Sequence, residues 1–178
     1  MITTTRLHIL PLTEAQLLKY AACDGSLEQE LGLHFVERTT SEELAEALRE
    51  TIIPNVTDPK KNYLFNTLWT AYTIDTKVMV GDLCIVGEPN AEGVIEIGYG
   101  TYPQFQGKGY MSEIVSGIIS WAKTQEAVKA IIANTSIDNT ASLKVLQRNS
   151  FINIQIIEEQ SLWKLIIKTK NYGNYSSP

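Results

Sequence analysis

The sequence predicts a single α/β (α+β) domain with a mixed, mostly antiparallel twisted sheet of about six or seven strands and a central parallel βαβ unit. Three observations lead to this fold class. Residues 5–53 begin as a strand and continue as helices. Three β-rich runs with short connections follow over residues 67–102, which predicts an antiparallel meander. A strand, a helix and another strand then succeed one another, and a helical crossover makes its flanking strands parallel.

The length of the chain sets the number of domains. Its 178 residues, 44% of them hydrophobic, are enough for one sizeable core. We therefore predict one domain over residues 1–170. The last segment, NYGNYSSP at 171–178, is polar and rich in turn residues, so we expect a flexible tail there.

Elements of the first third follow from alternation and capping signals. Residues 5–12 alternate as a strand, and Thr13 is placed to cap a short helix after it. A second helix is predicted to start at Thr40, because Glu43 lies three residues later as in a capping box. Pro54 is expected to end that helix.

The remaining elements follow in order along the chain. A turn at residues 75–77 joins the first two strands of the meander, and a second turn at residues 87–93 leads to the third. The predicted elements are strands at 67–75, 78–86 and 94–102, a helix at 109–123, a strand at 128–135, a helix at 138–149, and final strands at 151–158 and 162–168.

Composition excludes several functions. The net charge is -5 and no extended run of lysine or arginine is present, which argues against a nucleic-acid partner. Neither a signal peptide nor an apolar run of membrane length is found, so a cytoplasmic protein is predicted, with no membrane partner. Cys23 and Cys84 lack metal-ligand spacing and are expected to be free thiols, with a single disulfide as the alternative. HExxH, GxSxG and carboxylate clusters are absent, so no metal site is predicted.

The loop PQFQGKGY, residues 103–110, precedes the most regular amphipathic helix pattern of the chain. Gly107 and Gly109 let the backbone turn tightly and bring amides of the helix N-terminus near an anion, and Lys108 adds a charge. The alternative is a tight strand-to-helix turn without a ligand. The loop is neither a Walker loop nor a dinucleotide fingerprint.

The order Gln104-x-x-Gly107-x-Gly109 resembles the pyrophosphate loop of the GNAT superfamily of acetyl-CoA-dependent N-acetyltransferases. The segments EIGYGTYPQFQGKGYMSE, NTASLKVLQRNSF and TTRLHILPLT are similar to the RimJ/RimL-like branch, which includes N-terminal acetyltransferases of ribosomal proteins. Together they frame residues 4–151. The resemblance implies a three-layer fold with helices on both faces of the sheet.

The resemblance also implies a cofactor site for acetyl-CoA as cosubstrate, without a metal. Backbone amides of the loop would bind the pyrophosphate, and the preceding strand would pair with the pantetheine arm and polarise the thioester carbonyl. Asn139 would be directed at the cofactor, with helix capping as the alternative role. The implied cofactor-binding residues are Ile97, Tyr99, Gly100, Thr101, Gln104, Gln106, Gly107, Lys108, Gly109, Tyr110, Asn139 and Ser142.

Two residues are predicted to be catalytic. An amine must lose a proton before or during attack, and Glu96 is the candidate base because it shares a strand face with Gly98 and Gly100, where space for a ligand is expected. The alternative for Glu96 is an exposed or salt-bridged glutamate. Ser142 matches a serine that lies near the thiol in this branch, as the donor to the leaving thiolate; its alternative is an exposed or back-bonded hydroxyl.

Two positions depart from the family pattern. Leu146 occupies the place of a tyrosine acid found in many GNAT enzymes, which leaves Ser142, a water or no protein acid for that role. Ser150 stands where a glycine usually precedes the phenylalanine, here Phe151, so the local turn rather than the chemistry is in doubt.

The partners predicted are an amine acceptor, either a peptide N-terminus or a small molecule, and at most a second copy, so a monomer or a homodimer. Residues 12–53 would form the acceptor wall, where Glu28, Glu30 and Glu37 either attract a cationic substrate or belong to a solvated helix face. Trp69 is read as a core or rim residue with the acceptor cleft as alternative. Both histidines, His8 and His34, are read as ordinary.

Two other functions compete with the enzyme. One is a catalytically weak acyl-CoA-binding regulatory module, which the missing tyrosine acid allows and Glu96 opposes. The other is a nucleotide-binding α/β protein, which the antiparallel meander opposes because doubly wound folds alternate strands and helices from the start.

Overall fold

The computed structural model describes residues 1–167, so the predicted tail and the last residue of the final predicted strand lie outside the described residues. The strands are β1 (Ile2–Thr3), β2 (Leu7–Pro11), β3 (Leu68–Thr73), β4 (Met79–Ile85), β5 (Val94–Thr101), β6 (Ala130–Ser136), β7 (Ile152–Ile157) and β8 (Gln160–Ile166). The α-helices are α1 (Glu14–Ala22), α2 (Ser26–Leu31), α3 (Glu42–Ala47), α4 (Ile53–Thr57), α5 (Tyr110–Ala122) and α6 (Thr140–Arg148). A π-turn, Leu48–Ile52, joins α3 to α4, and short 3-10 turns cover Tyr63–Phe65 and Pro103–Phe105.

One sheet contains all eight strands in the order β1-β2-β3-β4-β5-β6-β8-β7. Among these eight strands of the described residues only β5 and β6 pair in parallel, which confirms the predicted meander and βαβ unit. The additional strand is β1, whose Ile2 lies opposite Ile9 of β2. A two-residue strand is too short to show alternation in the sequence.

Helices cover both faces of the sheet, as the resemblance implied. Helix α5 packs with α6 against one face, and α1, α2 and the α3–α4 segment pack on the other. The first core includes Leu83, Ile95, Ile97, Ile114, Ile118 and Leu146, and the second includes Leu12, Leu17, Tyr20, Leu48, Leu68 and Met79. Burial of these side chains supplies most of the driving force for folding.

The start of helix α3 differs from the prediction. Ser41, not Thr40, is the N-cap, and its Oγ accepts a hydrogen bond from the Leu44 amide at 3.2 Å. The Thr40 hydroxyl lies 3.4 Å from the Cys23 sulfur. Both residues carry a hydroxyl before the helix, so the tertiary contact of Thr40 decides which of them caps.

The second predicted helix, which begins near residue 40 and corresponds to α3, does not end at Pro54, so that prediction is wrong. The Ile53 amide donates to the Leu48 carbonyl across a π-turn, and the helical backbone continues to Thr57. Pro54 lies in the first turn of α4, where its missing N–H is not needed.

Candidate active site

A gap opens in the middle of the sheet between β5 and β6. Their parallel ladder comprises the pairs Val94 with Ala130, Ile95 with Ile131, and Glu96 with Ile132. Beyond Glu96 strand β5 pairs only with β4, and β6 pairs only with β8. Beyond the ladder the backbone of Tyr99 faces the gap without a partner on β6, whereas the Thr101 carbonyl accepts a hydrogen bond from Gln106 Nε2 at 3.4 Å.

A cleft of about 910 Å³ extends from this gap. Strand β5, the loop before α5, the end of β6 and the start of α6 form its walls. It is lined by Ile97, Gly98, Tyr99, Gly100, Thr101, Phe105, Gln106, Gly107, Gly109, Tyr110, Met111, Ser112, Asn134, Thr135, Asn139, Thr140, Ala141, Ser142, Lys144, Val145 and Arg148. A second depression, of about 590 Å³ at the turn between β4 and β5, contains none of the predicted site residues.

The loop before α5 presents free backbone amides to the cleft. Gly107 and Gly109 have φ angles of +74° and +77°, the left-handed region that favours glycine. Gly109 is the N-cap and offers no side chain to the helix. Among the described residues, none of the backbone amides from Gly107 to Ser112 has a hydrogen-bond acceptor. Six free amides at the positive end of a 13-residue helix favour an anion.

Arg6 holds this loop from outside, a contact that the sequence did not reveal. Its Nε donates to Glu113 Oε2 at 2.7 Å, another guanidinium N–H donates to the Lys108 carbonyl at 3.1 Å, and the guanidinium carbon lies 4.6 Å from the centre of the Tyr110 ring. Partial burial raises the pKa of Glu113, but hydrogen bonds from Thr4 and Arg6 outweigh it, so the net pKa lies below the usual range. The partners are about a hundred residues apart, and no local pattern marks them.

Two of the predicted cofactor-binding residues do not line the cleft. The side-chain amide of Gln104 donates to the Glu37 carbonyl at 2.9 Å, and the Lys108 ammonium lies 5.1 Å from the centre of the Phe105 ring. The other ten predicted residues all line it.

The cations in the cleft come from α6 instead of the loop. Lys144 and Arg148, four residues apart on that helix, line the cleft, and no Asp or Glu does. The cleft is therefore locally basic in a protein of net charge -5. In the sequence, the signal for these cations was the four-residue spacing of Lys144 and Arg148 on the helix that follows Asn139.

Asn139 and Ser142 lie together at the start of α6. Asn139 is the N-cap, because its Oδ1 accepts a hydrogen bond from the Ser142 amide at 3.0 Å. The Ser142 hydroxyl lies 2.9 Å from the Tyr99 hydroxyl, and the residue is half-buried, so it is neither a fully exposed hydroxyl nor one bonded back to its own helix. Burial raises the pKa of Tyr99, although the Ser142 hydrogen bond lowers it.

Ser112 is a further polar residue of the cleft that the sequence did not single out. Its Oγ is buried and has no hydrogen-bond partner among the described residues. It lies in the first turn of α5, beside the free amides. A buried hydroxyl without a partner is costly, so a ligand atom at this place would be favoured.

Glu96 lies at the top of the gap, on the strand face opposite Tyr99. Its Oε1 accepts a hydrogen bond from Asn134 Nδ2 at 2.9 Å, and Asn134 lines the cleft although Glu96 does not. The predicted free space on this strand face exists only in part. A Cβ on Gly100 would have no neighbour within 4 Å, but one on Gly98 would lie 3.3 Å from the Cys84 sulfur.

Under residues 12–53, the predicted acceptor wall, lies a buried polar cluster, which we define as Tyr20, Glu28, Arg38, Asp82 and Tyr102. The Tyr20 hydroxyl donates to Asp82 Oδ2 at 2.6 Å, and the Arg38 guanidinium lies 3.9 Å from the centre of the Tyr20 ring. Burial raises the pKa of Asp82.

Glu28 was expected either to attract a substrate or to lie on a solvated face, and both expectations are wrong, because its side chain is 3% exposed and paired with Arg38 at 3.5 Å. The other two acidic residues, Glu30 and Glu37, are exposed as a solvated face predicts. Trp69 is buried in the core and does not reach an acceptor cleft.

Three further expectations concern cysteines, metals and membranes. Cys23 and Cys84 are free thiols. Within residues 1–167, no group of three His, Cys, Asp or Glu side chains is arranged to hold a metal ion. Over the same residues, the helices are too short or too polar to cross a membrane.

Comparison with known proteins agrees with this architecture. A solved ribosomal-protein-S5-alanine acetyltransferase from Vibrio fischeri has the same fold, with a TM-score of 0.66 over 93% of this chain and 95% of that chain at 16% identity. RimL, a ribosomal L7/L12 alpha-N-protein acetyltransferase solved with coenzyme A, gives 0.65 over 92% and 96% at 17% identity. Spermidine N-acetyltransferase from Vibrio cholerae, solved with CoA and spermine, gives 0.62 over 92% and 97% at 13% identity.

Sequence comparison identifies the family. The chain is 33% identical over 100 residues to YjdG of Bacillus subtilis (strain 168), an uncharacterized N-acetyltransferase. That match spans 56% of this chain and 60% of the length of the relative. The family model for the acetyltransferase (GNAT) domain matches residues 6–152. The chain therefore belongs to the GNAT acetyltransferase family.

Proposed function

We propose that the protein is an N-acetyltransferase that moves the acetyl group of acetyl-CoA directly to a primary amine. The observation that carries this proposal is the row of six free amides, Gly107 to Ser112, at the end of the gap between β5 and β6. Family membership makes acetyl-CoA the ligand to expect there. The pyrophosphate takes these amides, and the Ser112 hydroxyl adds a donor.

The pantetheine arm then lies in the gap. The edge of β5 beyond its ladder with β6, around Tyr99, can form a β-like ladder with its amide groups, and Asn139 and Ser142 face it from α6. The locally basic end of the cleft, with Lys144 and Arg148, suits the phosphates of CoA. The strand amides near Ile97 to Tyr99 polarise the thioester carbonyl.

The acceptor amine approaches from the strand face that carries Glu96. Glu96, or a water that it orients, removes the proton from the amine, and the nitrogen attacks the thioester carbon. The carbon–sulfur bond breaks, and the thiolate leaves toward Ser142 on the opposite face of the strand. Holding amine and thioester in line on two sides of one strand supplies much of the acceleration.

Structural relatives act on two classes of amine, and either class fits the proposal. The names of the solved relatives specify ribosomal proteins, in one case at the alpha nitrogen, and spermidine as acceptors. We propose a primary amine of one of these classes, a peptide N-terminus or a small molecule, in a cytoplasmic monomer or homodimer.

The test is an acetyl-CoA-dependent thiol-release screen over peptide N-termini, polyamines, aminoglycosides and amino acids, with calorimetry of acetyl-CoA binding beside it. We expect binding and release of one thiol for each amide formed with at least one amine class. Tight binding with no release over the whole panel would favour a regulatory acyl-CoA module. Absence of binding would contradict the proposal.

A further inference from the structure

We infer that Tyr99 is the source of the proton that the leaving CoA thiolate takes up, with Ser142 as the relay between phenol and sulfur. The inference rests on the proposed function and adds a residue to it. The geometry that carries it is the 2.9 Å contact between the Tyr99 and Ser142 hydroxyls at the wall of the gap.

Strand geometry places base and acid on opposite sides of the reacting carbonyl. Glu96 and Tyr99 are three residues apart on β5, so their side chains point to opposite faces of the sheet. Glu96 contacts Asn134 on one face, and Tyr99 contacts α6 on the other. An amine that is deprotonated on the Glu96 face expels the thiolate toward the Tyr99 face.

Acidity then distinguishes the two hydroxyls. A phenol has an ordinary pKa near 10, close to the value of about 8.5 for a cysteine thiol, whereas an aliphatic hydroxyl is a far weaker acid. Ser142 alone would therefore lose a proton to a thiolate only at a large free-energy cost. If Ser142 receives the Tyr99 proton while it gives its own proton to sulfur, no serine alkoxide forms and that cost is avoided.

The state of Tyr99 fits a donor. Burial raises its pKa, which keeps the phenol protonated at neutral pH until a thiolate forms, and the hydrogen bond with Ser142 opposes that rise. The other phenol of the cleft, Tyr110, lies under Arg6 at the loop. Lys144 and Arg148, the charged groups that line the cleft, are exposed, and no hydrogen bond between described residues ties either of them to β5.

The proton balance closes within one turnover. The nitrogen proton goes to Glu96 or its water, and the carbon–sulfur bond breaks as the carbon–nitrogen bond forms. The Ser142 proton goes to sulfur, and the Tyr99 proton goes to the Ser142 oxygen. The phenolate regains a proton from solvent, while Glu96 releases one, before the next acetyl-CoA reacts.

Three variants test the relay: Tyr99→Phe, Ser142→Ala and the double variant. With the amine that gives the highest rate in the screen, we expect the single-turnover rate to fall about 100-fold in each, which is within the range of general acid catalysis. The double variant should be no slower than either single variant, because all three interrupt one proton path. Acetyl-CoA affinity, measured by calorimetry, should change less than about threefold, which a merely structural role would not predict.

The matched control is Tyr63→Phe, at a tyrosine that is 40% exposed and does not line the cleft. It should react at the wild-type rate. A Tyr99→Phe enzyme within twofold of wild type would overturn the inference and leave the proposed function intact. A loss of acetyl-CoA affinity as large as the loss of rate would overturn it too. Wild-type protein that neither binds acetyl-CoA nor releases thiol would overturn the proposed function itself.

Discussion

The two faces of the sheet differ in how they are stabilised. On the α5–α6 side the core is apolar, and the proposed cofactor site is formed largely by backbone amides of one loop. On the α1–α4 side a polar cluster of Tyr20, Glu28, Arg38, Asp82 and Tyr102 is buried under the predicted acceptor wall. The proposed cofactor site on the first face depends on local backbone geometry, whereas the second face depends on contacts between distant side chains.

Buried polar side-chain atoms without a hydrogen-bond partner lie mostly on the α1–α4 face. Of the five buried polar side-chain atoms without a hydrogen-bond partner in the described part of the chain, four lie on it, on Glu28, Thr70, Asp82 and Tyr102, and the fifth is the Ser112 hydroxyl in the cleft. Burial raises the pKa of Asp82, and the nearby hydroxyls of Tyr102 and Thr70 lower it, so three of these atoms lie close enough to interact. A buried polar atom left with no partner at all would cost about 1–3 kcal/mol. The acceptor side is therefore expected to be the less stable half, and changes there should alter stability more than cofactor binding.

The largest effect on kcat is expected at Glu96, at the end of the ladder between β5 and β6. Glu96→Gln should lower kcat by about 10²–10⁴-fold, because a general base is lost, and should leave acetyl-CoA affinity unchanged, because Glu96 does not line the cleft. Steady-state kinetics with the selected amine and calorimetry measure the two effects. Glu92→Gln, at an exposed turn residue, is the control and should match wild type. An unchanged rate and pH profile for Glu96→Gln would show that another group is the base.

Substitution of one glycine, Gly107, should disrupt the proposed cofactor site. Gly107→Val should weaken acetyl-CoA binding about 10–100-fold, since a β-branched residue at positive φ costs about 1–3 kcal/mol and the loop would relax away from the anion. Gly87→Val is the matched control: its φ is +82°, and like Gly107 it has open space around a Cβ. Equal affinity losses in both variants would mean that the loop geometry has no special role.

The polar cluster gives a pH-dependent effect on stability. The pKa of Asp82 is raised by burial, so the folded state holds its proton more tightly than the unfolded state does. Its contribution is fully present below the unfolded pKa near 3.9 and is lost as the pH rises through the folded value. The Tm of wild type minus that of Asp82→Asn should therefore decrease from about pH 4 upward, by about 2–4 °C for each 1 kcal/mol.

Asp138→Asn, at an exposed aspartate, is the reference variant for this series. The difference between its Tm and that of wild type should not depend on pH. A difference for Asp82→Asn that grew with pH would mean that the carboxylate is stabilised in the folded state. Acetyl-CoA affinity at neutral pH should stay within threefold, which would separate the stability of one face from the ligand site of the other.

Much of the cofactor face could be predicted from the sequence, because its signals are local. The glycine spacing at Gly107 and Gly109 and the apolar stripe of α5 are each read within a few residues, and the cap at Asn139 was the alternative to the predicted cofactor-directed side chain. The acceptor face could not be predicted from local signals, because the burial of Glu28 depends on Arg38 folding back over Tyr20. Local patterns also misplaced the cap at Thr40 and the stop at Pro54, where a tertiary contact and a π-turn decide.

The smallest effect is expected at Gln104, which the family pattern assigns to the cofactor. Gln104→Ala should change the acetyl-CoA dissociation constant by less than about threefold, since the side chain binds the Glu37 carbonyl outside the cleft. Calorimetry decides the question. A tenfold weaker affinity would place the Gln104 amide on the ligand and sharpen the link between the loop and the acceptor wall.

The central claim is that one face of the sheet holds acetyl-CoA and the other does not. Its most direct measurement is an amide NMR titration of the ¹⁵N-labelled protein with acetyl-CoA. The account predicts the largest shifts at the amides of Gly107, Gly109 and residues 97–101, with the Tyr20–Asp82 cluster little changed. Largest shifts on α1–α4, or none at Gly107 and Gly109, would contradict it.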